Sequence, residues 1–215
     1  TRLDLLSEGI EDTGKGKLKV ASGKYTGGKW GGKYLRAPDI YWTILEKGKG
    51  KLVRLGDIAE VRRGITTGCN EFFYLDEAKI RRWGIEEEFL KPVIKSPREC
   101  KSILIDPTQL KYKIFMCHKT KQELKGTNAL EYIKYGEARG FNLVPSCSGR
   151  RSWFDLGVRQ APPLISPSSV SDVYRIFANR EILIDKRMYE VWVEPTMVDQ
   201  VLLSMNCITT TLFLE

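Results

Sequence analysis

Two stretches of this chain bring paired arginines, hydroxyl groups and glycines together within a few positions, and both run into aromatic residues. The first is LGDIAEVRRGITTGCNEFFYL, residues 55–75, in which Arg62-Arg63-Gly64 is followed by Thr66-Thr67-Gly68, Asn70 and the run Phe72-Phe73-Tyr74. Two guanidinium forks offer bidentate donors for phosphate or for the edge of guanine. Gly64 and Gly68 would let the backbone approach a ligand with no Cβ in the way. The second stretch runs from Tyr135-Gly136-Glu137-Ala138-Arg139-Gly140 into Pro145-Ser146-Cys147-Ser148-Gly149, then Arg150-Arg151-Ser152-Trp153-Phe154. It repeats the same logic, a flexible turn carrying two arginines into an aromatic anchor. Two such loops are suited to flank one groove that holds a polyanion. The competing reading is that each is a solvated surface turn.

Other chemistry is poorly provided for. A methyl transferase domain using S-adenosylmethionine needs a glycine-rich turn after a strand and an acidic residue for the ribose, and Gly64-x-x-x-Gly68 does not meet that pattern. Adenine amino methylation also calls for an Asn/Asp-Pro-Pro-aromatic string, and the nearest one here, Ala161-Pro162-Pro163-Leu164, has neither the polar acceptor nor the ring. Asp185-Lys186 offers one carboxylate and one amine to a nuclease reading, too few for a magnesium site. Glu86-Glu87-Glu88 is read as the acidic start of a helix. The five cysteines include no C-x-x-C pair, and Cys117 adjoins the only histidine, His118, so that their side chains diverge. No catalytic residue, metal ligand or resident cofactor is assigned.

The bulk figures fit a globular domain with a polyanionic partner. Lys and Arg number 35 against 27 Asp and Glu, for a net charge of +8, and 42% of the residues are apolar. No apolar run approaches the ~20 residues that span a bilayer. The odd cysteine count fits reduced thiols in a cytoplasm. The chain starts at Thr1 and stops inside the apolar run Thr211-Leu212-Phe213-Leu214, which reads as a piece of a longer polypeptide.

The elements that must position the two loops follow from periodicity. Residues 1–50 are rich in Gly-Lys repeats and read as a connector, with Tyr25, Trp30, Tyr34, Tyr41 and Trp42 interleaved with Lys24, Lys29, Lys33 and Arg36. Residues 37–42 look like the start of a packed element. From residue 51 to 215, strand-like and helix-like pieces alternate, which implies an α+β or mixed α/β domain. Strands are expected at 52–61, 71–75, 102–105, 111–117, 162–167, 173–177, 182–184 and 189–193. Helices are expected at 76–83, 86–90, 120–140 and 196–206, the second stopped by Pro92 and the last with Met197, Val201, Leu202 and Met205 on one stripe.

The order of these segments resembles a known family. Leu35-Arg36-Ala37-Pro38-Asp39, residues 55–61 through 64–68 to Phe72-Phe73, and Leu90-Lys91-Pro92-Val93-Ile94 look like the target-recognition region of adenine-specific DNA methyltransferases. That family belongs to restriction-modification and phage-defence systems and carries a TaqI-like C-terminal specificity domain. Tyr135-Gly136-Glu137, Arg151-Ser152-Trp153-Phe154, Pro162-Pro163-Leu164-Ile165 and the closing segment from Ser204 follow in the family's order. The resemblance implies a twisted β-sheet domain with peripheral helices and a C-terminal helix. It also implies that this domain reads double-stranded DNA while a separate methyltransferase domain binds S-adenosylmethionine and methylates adenine N6.

Candidate DNA contacts come from the residues themselves. Arg62, Arg63, Arg150 and Arg151 suit phosphate or guanine; Thr66, Thr67 and Asn70 suit phosphates or base edges; Lys91, Lys95, Arg159, Arg175, Lys186 and Arg187 suit a backbone track. The alternatives are a single-strand or protein interaction module built on Trp30 and Trp153, and a nuclease using Asp185 and Lys186.

Overall fold

Pro38, in extended backbone at φ −67° and ψ 160°, stands at the N-cap of the first described helix, and the apolar spacing after it builds that helix. The computed structural model describes residues 38–169 and 175–207. The Lys-aromatic interleaving at 24–36, the strand start at 173 and the closing segment after Cys207 lie outside them. Contacts divide the chain into two units, Thr1–Asp57 with Asn206–Glu215, and Ile58–Met205. In the first unit, helix α1 (Asp39–Lys47) has Asp39 in its first turn and Lys47 in its last, which complements the helix dipole. Gly48 closes it by donating its N–H to Ile44 O at 2.8 Å. Tyr41 and Trp42 are buried and meet edge to face at 5.2 Å, so the described residues 38–42 open a packed element.

The second unit holds two four-stranded sheets with helices around them, a mixed α+β fold. One sheet has the order β1 (Ala59–Arg63), β8 (Met188–Val193), β5 (Leu164–Pro167), β6 (Phe177–Ala178), with every neighbour antiparallel. The other has the order β2 (Tyr74–Leu75), β4 (Tyr112–Phe115), β3 (Leu90–Ile94), β7 (Leu183–Ile184), and its β3–β7 pair is parallel. Ile94 and Ile184 from one sheet meet Ile165, Phe177 and Met188 from the other in a shared apolar cluster. The larger core packs Phe72, Phe73, Phe115, Tyr132, Ile133, Trp153 and Phe154. Within it Phe72 stacks on Tyr132 at 4.7 Å, and the Tyr132 hydroxyl donates to Phe72 O at 2.7 Å.

Several elements differ from the sequence expectation, each for a local reason. The strand expected at 52–61 begins with a helical turn, α2 (Leu55–Ile58), because Arg54 clasps both oxygens of Asp57 at 3.1 Å and closes the chain on itself. The strand expected at 71–75 is a helical turn, α3 (Asn70–Phe73), followed by β2. Adjacent side chains on a strand face opposite ways. The turn instead sends both Phe72 and Phe73 into the core, each fully buried. The helix expected at 86–90 is a single 3-10 turn, Glu87–Phe89, and β3 then runs through Pro92. Proline is tolerated there because β7 pairs only with Val93 and Ile94, leaving Pro92 bonded on one side.

The helix at 76–83 forms as α4 (Glu77–Trp83), capped by Asp76 and ended by Gly84 in the left-handed region. The helix expected at 120–140 is shortened to α5 (Asn128–Ala138): Gly126 at φ 85° breaks the run and the Thr127 hydroxyl caps the remaining helix. Glu86 adds its carboxylate to the same helix start, accepting from the N–H groups of Asn128 and Ala129 at 2.6 and 3.0 Å. Glu87 and Glu88 pair with Lys113 and Lys119, so this acidic run is structural throughout. The stretch at 102–105 makes only a bridge from Leu104 to Ala178, with Ile103 and Leu104 exposed. Helix α7 (Val198–Met205) follows a 3-10 turn, and Val201 alone of its expected stripe is fully buried.

Candidate nucleic-acid interface

The Gly64–Gly68 loop is held from two sides. On one side it joins the turn after β7: Ile65 N donates to Ile184 O at 2.8 Å, and Lys186 N donates to Ile65 O at 2.9 Å. Arg63 Nε donates to Lys186 O at 2.9 Å. A Cβ on Gly64 would lie 2.4 Å from Asp185 O, so the close approach that glycine permits here is to the protein's own backbone. On the other side the loop meets α6 (Pro145–Ser148). Gly68, at φ 81°, has Ser146 Oγ and Cys147 Sγ where its Cβ would be, and Ser146 Oγ donates to Gly68 O at 3.2 Å.

Arg150 completes this second attachment. Its Nη2 donates to Thr66 O at 3.1 Å and to Thr67 O at 2.7 Å, and its Nη1 to Trp153 O at 3.2 Å. The guanidinium also lies over the Phe73 ring at 5.6 Å. The two arginine loops are therefore in contact, bound through a side chain that sequence reasoning assigns to DNA.

A buried network supports the first attachment. Asp185, 1% exposed, accepts from the Tyr74 hydroxyl at 2.6 Å, from Arg187 N at 3.0 Å and from Arg187 Nε at 3.1 Å. Burial first, and the bond to Asp185 second, push the Tyr74 phenol far above its ordinary value, so it remains a donor at any physiological pH. The oxygens of Asp185 are thus committed to holding the Lys186–Arg187 turn. Among the described residues, no three His, Cys, Asp or Glu side chains gather in a metal-holding group.

Besides Arg63, bonded to Lys186 O, and Asn70, bonded to Thr67, the candidate contacts fall into three sets. Arg150, Thr67 and Lys95 are turned into the protein: Thr67 is 2% exposed and bonds the Asn70 side chain, and the Lys95 ammonium lies over Tyr112 and Tyr74 at 4.3 and 5.4 Å. Arg62 and Arg187 are exposed but paired. Arg62 donates to both oxygens of Glu60, lies 5.8 Å over the Trp192 ring, and is held more firmly protonated by its hydrogen bond to Glu60. Thr66, Lys91, Arg151, Arg159, Arg175 and Lys186 are exposed, and their side chains make no hydrogen bond or ion pair among the described residues. Of these, Thr66 lies in the Gly64–Gly68 loop and Lys186 on the turn bonded to Ile65 and Arg63. No hydrogen bond ties Lys91, Arg159 or Arg175 to it.

Sequence reasoning did not find the acidic and aromatic companions of Arg62, namely Glu60, Glu190 and Trp192; Trp192 Nε1 donates to the buried Glu190 at 3.1 Å. Their cue lies in the period-2 spacing of Glu60 with Arg62 and of Glu190 with Trp192. Trp153, an aromatic anchor in one reading of the sequence and a stacking platform in its alternative, is 8% exposed and donates its indole N–H to Glu137 at 3.0 Å. Its ring is part of the core. His118, which has no evident partner in its sequence neighbourhood, has Nδ1 2.7 Å from Asp155, whose carboxylate also accepts from Gly157 N.

Comparison with known proteins gives a consistent picture. Residues 28–215 match the family model described as type II methyltransferase M.Eco57I, C-terminal domain. Over 138 residues the chain is 28% identical to the type II methyltransferase M.AccI of Acinetobacter calcoaceticus, a match covering 59% of this chain and 25% of that protein. The crystal structure of the type IIG restriction endonuclease BpuSI superimposes with a TM-score of 0.52 at 11% identity, over 77% of this chain and 22% of that one, a likeness of fold. The chain thus spans about a quarter of the length of the relatives it matches. No helix among the described residues is long and apolar enough to cross a membrane.

Proposed function

Since this chain belongs to the family of C-terminal domains of M.Eco57I-type II methyltransferases, we propose that it is the part of a larger DNA methyltransferase or restriction-methylation enzyme that recognises double-stranded DNA. One observation carries the reading. The exposed Thr66 lies in a loop braced on both sides: the turn that bears the exposed Lys186 is bonded to Ile65 and Arg63, and Arg150, whose chain neighbour Arg151 is exposed, bonds the Thr66 carbonyl. Hydroxyl and cationic groups on a rigid support are what phosphate positioning and base-edge readout require. In this reading S-adenosylmethionine binding and adenine N6 transfer belong to a methyltransferase domain outside this chain.

Duplex binding by the 215-residue chain, followed by fluorescence anisotropy across a salt series, tests this. Log K should fall with log salt by about 0.9 for each phosphate neutralised. The double variant Arg63→Ala/Lys186→Ala should weaken binding and lower that slope. A preference for single strands, or no binding by either the chain or the intact enzyme, overturns the proposal.

A further inference from the structure

We propose that Arg150 is a positioning residue that never reaches the nucleic acid: it fixes the turn that presents Thr66, and its neighbour Arg151 makes the polyanion contact instead. This rests on the reading of the domain as a duplex-DNA recognition module.

The donor inventory of Arg150 carries the inference. A guanidinium has five N–H groups, two on each terminal nitrogen and one on Nε. Nη2 is committed to Thr66 O and Thr67 O, and Nη1 to Trp153 O and, at 3.8 Å, to Cys147 Sγ. Each terminal nitrogen therefore has as many inward acceptors as it has hydrogens, which leaves no fork to offer a phosphate. The Phe73 ring covers one face at 5.6 Å. Breaking these bonds would take the guanidinium donor from the carbonyls of Thr66, Thr67 and Trp153 at once and leave Thr67 O with only the weak Cys147 thiol donor at 3.8 Å.

The placement also explains the local sequence. Thr67 is buried with its hydroxyl on Asn70, and Gly68 is pressed against Ser146 and Cys147. The turn is thereby fixed after Thr66, and Arg150 fixes it at Thr66 itself. Arg151 is exposed and its side chain has no partner among the described residues. The pair divides the work: one arginine spends its fork on the scaffold and the next keeps its charge in solvent. Lysine cannot replace the first, because an ammonium has no planar fork to span three carbonyls, but it can replace the second, where a point charge suffices.

The test uses the 215-residue chain with Arg150→Lys, Arg150→Ala, Arg151→Lys and Arg151→Ala, a random-sequence DNA duplex as probe, and circular dichroism to select folded variants. Positioning predicts that Arg150→Lys, which keeps the charge, weakens binding about tenfold with an unchanged salt slope, whereas Arg151→Lys keeps the slope by keeping the charge and Arg151→Ala lowers it by about 0.9. Hydrogen exchange read by mass spectrometry supplies an arm that needs no DNA. Amides at 66–70 should exchange faster in Arg150→Lys and not in Arg151→Ala. If Arg150→Ala does not fold, Arg150→Lys carries both measurements. The proposal is overturned if Arg150→Lys binds like the parent while Arg150→Ala loses about 0.9 of slope, or if exchange at 66–70 is unchanged in Arg150→Lys. If the parent chain binds no duplex, the functional reading fails and the exchange arm still decides the role of Arg150.

Discussion

The Tyr74 hydroxyl donates to Asp185 at 2.6 Å across 111 positions of chain. Tyr74 belongs to one edge strand of its sheet and Asp185 directly follows the other edge strand, β7, so a single side chain reaches between the two borders. The carboxylate it meets organises the Lys186–Arg187 turn against the Gly64–Gly68 loop.

Removing this bond should cost stability. Tyr74→Phe leaves a buried carboxylate short of one donor and should cost about 1–2 kcal/mol. Asp185→Ala, which also strands Arg187 N and the Tyr74 hydroxyl, should cost about 2–4 kcal/mol. Urea denaturation of both variants measures the difference. A loss under about 0.5 kcal/mol for Asp185→Ala would mean the network is not holding the turn.

Glu60 should act as a brake on Arg62. Its carboxylate takes the Nε and Nη2 edge of the guanidinium at the surface, where solvent screening leaves such a pair contributing little to folding. Glu60→Gln therefore ought to leave the urea midpoint essentially unchanged while tightening duplex binding. The salt slope should rise by up to about 0.9 as Arg62 becomes free for a phosphate. Unchanged or weaker binding would take Arg62 out of the contact set.

Gly136→Ala should destabilise the domain although alanine favours helix by about 1 kcal/mol over glycine. The added Cβ would lie 2.6 Å from Trp153 Cη2 and 2.7 Å from Phe72 Cε2, both within the aromatic core. Overpacking of this kind costs about 1–3 kcal/mol. A melting temperature equal to or above that of the parent would show that the rings can yield.

Thiol chemistry should separate the cysteines by burial. Burial pushes Cys100 up to about 12 and also raises Cys117 and Cys147. A raised thiol pKa favours the neutral, unreactive form, so the thiolate of Cys100 stays scarce at every pH below about 12. Iodoacetamide at about pH 8, near the ordinary thiol pKa, should label the exposed Cys207 first and spare Cys100 until denaturant is added. Early labelling of native Cys100, read by peptide mass spectrometry, contradicts this.

The fold class is legible in the sequence, along with the positions of most strands and the anchoring role of Phe72, Phe73, Trp153 and Phe154, because apolar periodicity records burial directly. The family is legible too, through the collinear order of individually loose motifs. Side-chain direction is not. Arg62 and Arg63, or Arg150 and Arg151, are equivalent as letters, and for Arg63 and Arg150 the partners that decide their direction, the Lys186 carbonyl and the Thr66 and Thr67 carbonyls, lie about 80 or more positions away. The same holds for Gly64, whose approach partner is a carbonyl that sequence places far downstream. Helix lengths are overestimated where a cap, as at Thr127, overrides an unbroken apolar pattern.

The pairing of Ala59 with Val193 and of Arg63 with Tyr189 makes the first strand of this unit wait for nearly its last. On a ribosome adding ~5–20 residues per second, β1 emerges and waits roughly six to twenty-seven seconds before β8, its one sheet neighbour among the described residues, exists. Assembly of the first sheet is therefore a late, long-range event with a slow closure. During that interval the charged pair at Glu60 and Arg62 is carried by the waiting strand itself, and charge on an unpaired edge is what discourages other nascent chains from joining it.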